Sequence, residues 1–226
     1  MNSLSGPGIV LRRHKRGEED IRLTLFFRDA GKLLATSKGG QKPASKLKAL
    51  QEPFTEADFH VFAPEHGVNG RLAGGRLMDS HQGLRGRYEA FETASRACET
   101  VDVLVPFRAP SGDVYDILRT VLRSLAAGSP PTVEWVLFVT RLLMCLGHGD
   151  VSDRLLALLE PSERAAAGAA FESRADDAQL SVQPQSLERC LNLVNAELEH
   201  ILPWKLKSDR ARADADEADG TPVEGT

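Results

Sequence analysis

"DIRLTLFFRDAGKLLATSK", residues 20–38, alternates apolar and polar side chains on either side of a short turn. Ile21, Leu23, Leu25 and Phe27 fall on one side of an extended chain, and Arg22, Thr24 and Phe26 on the other. A period of two places one face in a core and the other in water, which predicts a strand. "RDAG" (28–31) sets Asp29 and Gly31 where a tight hairpin needs them, so the stretch from Lys32 to Lys38 is expected to return antiparallel.

The same pattern extends outward. "GIVLRR" (8–13) begins a strand, and "FTEADFHVFA" (54–63) supplies another with Phe54, Phe59 and Val61 as its apolar positions. "GRLAGGRLMDS" (70–80) reads as a last strand, where Gly74 and Gly75 permit the bulge or bend that closes a small barrel. Five strands carrying one long basic loop predict an OB-type barrel.

Beyond Gly83 the period lengthens to three or four. "YEAFETASRACETVDVLV" repeats Tyr88, Phe91, Ala94, Cys98, Val101 and Val105 on one helical face. "DVYDILRTVLRSLAAG" opens on Asp113 as a candidate N-cap and stops at Gly128. "SPPTVEWVLFVTRLLMCLGHG" is apolar nearly all round, as the buried centre of a helical domain would be. A further pair breaks at Pro161, and "PQSLERCLNLVNAELEHIL" forms the last amphipathic helix. The expected class is therefore α+β: an OB-fold barrel over residues 1–80, an all-α helical domain over 81–208, and an acidic, aromatic-free tail over 209–226 that lacks the apolar groups to order itself.

A hydrophobic share of 42% and a charged share of 27% place the 226-residue chain among ordinary globular proteins. No apolar run approaches the ~20 residues that span a bilayer, and the first residues lack the order of a secretion signal, so the expected location is cytoplasmic, without a membrane partner. Cys98, Cys145 and Cys190 are too few and too scattered for a disulfide framework or a zinc knuckle and are read as small core residues.

Net charge hides an asymmetry. Residues 1–50 hold eleven Lys or Arg against four acids, a surplus of +7, which leaves −11 for the rest of a chain that totals −4. Lys38, Lys42, Lys46 and Lys48 ring a glycine pair and a proline in the loop after the third strand. Lysine-rich loops are ordinarily just solvated; here Arg12, Arg13, Lys15 and Arg16 end the first strand and Arg22 lies on the wet face of the second. On neighbouring strands of a small barrel these cations converge with the loop on one surface, able to follow a phosphate backbone. Phe26 on that face is a stacking platform only if the helical domain leaves it bare, and packing is the expected role.

Catalytic motifs are absent. The six histidines (14, 60, 66, 81, 148, 200) are scattered, no GxSxG or HExxH occurs, and "GGQKPASK" lacks the ending of a P-loop. His148, in "LGHGD" after the apolar helix, is read as capping carbonyls or facing solvent. No enzyme activity is expected. A diverged nuclease using Asp113 and Asp116 is the rival on the catalytic side, and an adaptor whose basic face binds acidic protein surfaces is the rival without chemistry.

The segments "GIVLRR", "GEED", "LTLFFRDAGKLLATSKGGQKPASKL" and "LQEPF", in that order, closely resemble the N-terminal barrel of the RecO family of bacterial recombination mediators. "VTRLLMCLGHG" is similar to the family's arginine-bearing helix, and "LPWKLKS" to its C-terminal Leu-Lys-Ser signature, so the likeness covers most of residues 6–208. The resemblance implies an OB domain followed by a helical domain that binds single- and double-stranded DNA. It further implies annealing of complementary strands and cooperation with RecR and the single-stranded-DNA-binding protein SSB to load RecA. RecR is expected at the barrel, and the acidic, apolar tip of SSB around Arg141 and the helix 133–146. Many relatives carry a four-cysteine zinc module after the Leu-Gly-aromatic segment; here "HGDVSDRLLALLEPSERAAAGAAF" has no cysteine, so no zinc and no other cofactor is expected. The second half of the family's helical domain is also shortened.

Overall fold

The structure, a computed structural model, describes residues 2–173, 180–202 and 206. The acidic segment 209–226 and most of the Leu-Lys-Ser stretch lie outside the described residues.

Five strands, β1 (Asn2–Arg16), β2 (Asp20–Phe27), β3 (Gly31–Ser37), β4 (Glu56–Ala63) and β5 (Asn69–Asp79), close into a barrel in the order β1-β2-β3-β5-β4. Every pairing is antiparallel except β3 with β5, whose short parallel contact (Leu34–Thr36 with Asn69–Arg71) seals the ring. This is the expected OB-type barrel. Ile21, Leu23, Leu25 and Phe27 point into it as the alternation requires, joined by Val10, Leu33, Phe59, Val61 and Leu72.

The hairpin forms as read: Phe27 faces Gly31, whose φ of 69° and whose approach to the Ala109 carbonyl, 2.5 Å from where a Cβ would stand, both require glycine. The predicted bend in β5 is a bulge: His60 pairs with Gly74 but Val61 pairs with Leu72, so Ala73 is extra. β1 is longer than "GIVLRR" suggests. Its first half pairs with β4 and its second half with β2, a double role that the Ser, Gly and Pro of its opening do not advertise.

Among the described residues six helices follow: α1 (Tyr88–Leu104), α2 (Gly112–Ala127), α3 (Pro131–Cys145), α4 (Asp150–Leu158), α5 (Pro161–Glu172) and α6 (Pro184–Ile201). α3 is buried nearly all round, as its composition requires. Ser111, not Asp113, holds the N-cap position of α2, and Gly128 ends that helix at φ 112°. The stripe read on α1 holds from Ala94 to Val105, but Tyr88 is 76% and Phe91 44% exposed, because the first turn of the helix runs ahead of the core. Cys98 and Cys190 are buried with thiols pushed up by desolvation, Cys190 to about 11, whereas Cys145 at the end of α3 is exposed. His148, just beyond it, is exposed as read.

The helices pack directly on the barrel wall. Ile9 and Phe26, on its outer face, join the helical core, and Phe26 lies 5.9 Å from the Tyr115 ring. Burying a side chain of that size stabilises by roughly 1.5–3 kcal/mol, so packing is its role. Two ionic latches frame this contact. Lys32 and Arg12 both reach Asp102 on α1, at 2.9 and 3.1 Å. Glu56, 1% exposed at the start of β4, receives Tyr115, Arg119 and Arg123 of α2 at 3.2, 3.0 and 3.1 Å.

Candidate nucleic-acid interface

The loop between β3 and β4 is built into the β1–β2 hairpin. The backbone N–H of Gln41 donates to the Glu19 carbonyl at 2.9 Å, and its side-chain amide donates to the carbonyls of Gly17 and Asp20 at 3.1 and 2.9 Å. The Asp20 carboxylate accepts the N–H of Gly39 at 2.9 Å. At the far end Gln51 donates to the buried Ser37 hydroxyl at 2.8 Å, and Leu50 enters the barrel core. Anchored at both ends, the loop holds Lys38, Lys42, Lys46 and Lys48 exposed, with Lys42 2.9 Å from Glu19 on the hairpin tip.

A row of cross-strand partners circles the outside of the barrel beside this loop: His14, Arg22, Thr36, Arg71 and Phe62. Directly paired residues share a face. Arg22 donates to Asn69, Arg16 donates to the Thr36 hydroxyl at 3.1 Å, and the Arg71 guanidinium lies 5.6 Å from the centre of the Phe62 ring. Arg16, Arg22, Lys38 and Lys42 are thus gathered at one end of the barrel with Arg71. Sequence reading missed Arg71. It stands in plain view in "GRLAGG", but only the parallel β3–β5 contact brings it beside Thr36. Glu18, Glu19 and Asp20 at the hairpin tip temper the surplus without cancelling it.

Two residues expected on this face, Arg12 and Arg13, stand elsewhere, and Arg141, expected on the third helix as a partner contact, is buried there. Arg12 turns to the helical domain, ion-paired with Asp102 and 4.0 Å from Glu99, and works as a latch. Lys15 and Arg13 are exposed on β1, but Arg13 borders a cavity between the barrel and α1, away from the row. Arg141 is buried: it donates to the Ala170 carbonyl at 2.8 Å and forms part of the wall of a cavity of about 290 Å³ with Ile117, Met144 and Phe171. Burial pulls its pKa down, countered by the charge of Glu134. Asp113, Asp116 and Glu172 also line that cavity, with Asp116 matched by Arg28 at 2.8 Å.

The chain matches the family model described as Recombination protein O N terminal over residues 1–81, the whole barrel. It matches the model described as Recombination protein O C terminal over residues 85–154. The chain belongs to the RecO family. Among similar proteins, the DNA repair protein RecO of Heliobacterium modesticaldum is 34% identical over 168 residues, covering 74% of this chain and 60% of the relative. That of Exiguobacterium sp. is 31% identical over 144 residues (64% and 57%), and that of Bacillus subtilis 29% over 140 residues (62% and 54%). The matched part is therefore at most 60% of the length of these RecO proteins. Among the described residues no helix is long and apolar enough to cross a membrane, and no three His, Cys, Asp or Glu gather as metal ligands.

Proposed function

We propose that the chain is a DNA-binding recombination mediator that anneals complementary single strands and, with RecR and SSB, promotes RecA loading in recombinational repair. One observation carries the reading: in a RecO-family barrel, the cations of a pinned loop, a hairpin and an exterior row meet at one end. No bond is made or broken, and neither zinc nor another cofactor is invoked. Lysines and arginines on this surface neutralise phosphates of two strands, lowering their mutual repulsion while bases pair, and the acidity of the remaining chain limits indiscriminate adhesion. Duplex DNA is held through the same phosphate contacts. The site comprises Arg16, Arg22, Lys38, Lys42, Lys46, Lys48 and Arg71, with Lys15 at its margin; Arg12 is left out because Asp102 holds it.

RecR is placed at the barrel. The acidic tip of SSB is placed at the cavity beside Arg141, where Ile117, Met144 and Phe171 offer apolar contact. The carboxylates of Asp113 and Glu172 work against that tip, so this contact is expected to be weaker than the DNA contact.

A strand-annealing assay with and without SSB tests the proposal. Faster pairing of complementary strands, kept when SSB coats them, supports it. Binding to RecR or SSB with no affinity for DNA would make the chain an adaptor, and metal-dependent cutting of the strands would make it a nuclease.

A further inference from the structure

A second cavity of about 290 Å³ opens where the barrel meets α1, lined by Arg13, Glu52, Phe54, His81, Arg85 and Phe91. Its wall is aromatic: Phe54 and Phe91 meet edge to face at 5.2 Å, and Phe91 stays 44% exposed. Arg13 and Arg85 are exposed at its margin.

His81 is almost wholly buried. Its Nδ1 lies 2.9 Å from the Phe54 carbonyl, which only accepts, so Nδ1 carries the proton. Burial pulls the imidazole below its usual 6.5, against the opposing pull of Asp79, and the ring is neutral at pH 7. Nε2 is then a bare acceptor. Among the described residues it has no hydrogen-bond partner, and the Asp79 carboxylate stands 3.8 Å away, beyond hydrogen-bond reach. The His81 side chain is fully shielded, so this unpartnered acceptor lies just behind the cavity lining, and a buried acceptor without a partner needs an explanation. Phe54 and His81 also hold positive φ, 70° and 45°, two of three such non-glycine residues among those described. Backbone strain of this kind gathers at ligand-holding positions.

The geometry points to a pocket for one unpaired nucleobase and its phosphate. The ring of Phe91 meets the base face, the Glu52 carboxylate accepts a base N–H, Nε2 of His81 accepts another once a neighbouring side chain shifts to uncover it, and Arg13 and Arg85 face the phosphate. Glu52 disfavours the alternative occupant, an acidic peptide tip, whose charge it would repel. The inference rests on the DNA-binding reading above. Arg13 and Arg16 lie about 10 Å apart along β1 but on opposite faces of it, so a single strand on the cationic row has to turn over the end of the β1–β2 hairpin to reach the pocket.

The test measures binding of the full chain, by fluorescence anisotropy, to a labelled single strand and to an abasic deoxyribose-phosphate oligomer of equal length. The intact strand is expected to bind at least about fivefold tighter, the low end for stacking one base. Phe91→Ala should bring the two affinities within about twofold. Arg85→Ala, which alters no core packing, should weaken the intact strand more than the abasic one and guards against a folding defect. Replacing the four loop lysines should weaken both oligomers and keep the preference. Equal binding of both oligomers by the unaltered chain, or a preference that survives Phe91→Ala, overturns the pocket and leaves the cationic surface standing. So does an acidic peptide with an aromatic end that binds in a Phe91-dependent way and is not displaced by single strands. Failure to bind either oligomer overturns pocket and surface together.

Discussion

Glu134, in the first turn of α3, is buried, and desolvation raises its carboxyl to about 7 from an ordinary 4.5, although Ser129 and Arg141 pull the other way. Between those values the folded chain holds a proton that the unfolded chain releases. Stability from this group therefore falls as pH rises from about 4.5 to about 7. His81 acts in the opposite sense: with its folded pKa below 6.5, it withdraws stability as pH falls through that value. Comparing Glu134→Gln with the parent isolates the first effect, since His81 is common to both. Urea unfolding at about pH 5 and about pH 8 should show a smaller loss of stability on going up in pH for the variant, and an identical loss would contradict the assignment. Single residues were unevenly legible. The four loop lysines are exposed as read, because the loop is pinned by its apolar and amide side chains, Leu50, Gln41 and Gln51, which leaves the charged ones in water. Arg12 was misplaced, because strand alternation does not say whether a charge meets water or a helix ninety residues away; Arg141 lies on the helix expected for it, but is buried there.

Elements hold together through contacts between distant segments. The carboxylate of Glu56, at the start of β4, is shielded from water and matched by Arg119 and Arg123 of α2. Removing both arginines leaves it buried without a cation, an arrangement that destabilises by about 3–5 kcal/mol when a buried pair is broken. The double variant Arg119→Ala/Arg123→Ala should lose about that much in denaturant unfolding, and a loss under about 1 kcal/mol would show the latch to be ornamental. β2 and α2 were legible because each carries a clean period, β3 because the hairpin returns it beside β2, and α3 because a run so apolar has to be buried. The ends of β1 and the first turn of α1 were not. β1 serves two neighbours in turn, so no single alternation runs its length, and Tyr88 and Phe91 continue the apolar stripe past the point where the barrel stops covering it.

At the scale of the molecule, the segregation of charge already visible along the chain becomes a segregation in space. Barrel closure adds Arg71 to the patch, and the packing of α1 on the barrel takes Arg12 away, exchanges that only the tertiary arrangement decides. The surplus at the hairpin end survives the acids of its tip because the loop brings four lysines and Glu19 meets only Lys42. The salt dependence of single-strand binding probes that surface most directly. With about four phosphates engaged, the logarithm of affinity should fall against the logarithm of salt with a slope near −3. Replacing Lys38, Lys42, Lys46 and Lys48 with alanine should flatten that slope and slow annealing; an unchanged slope would contradict the account.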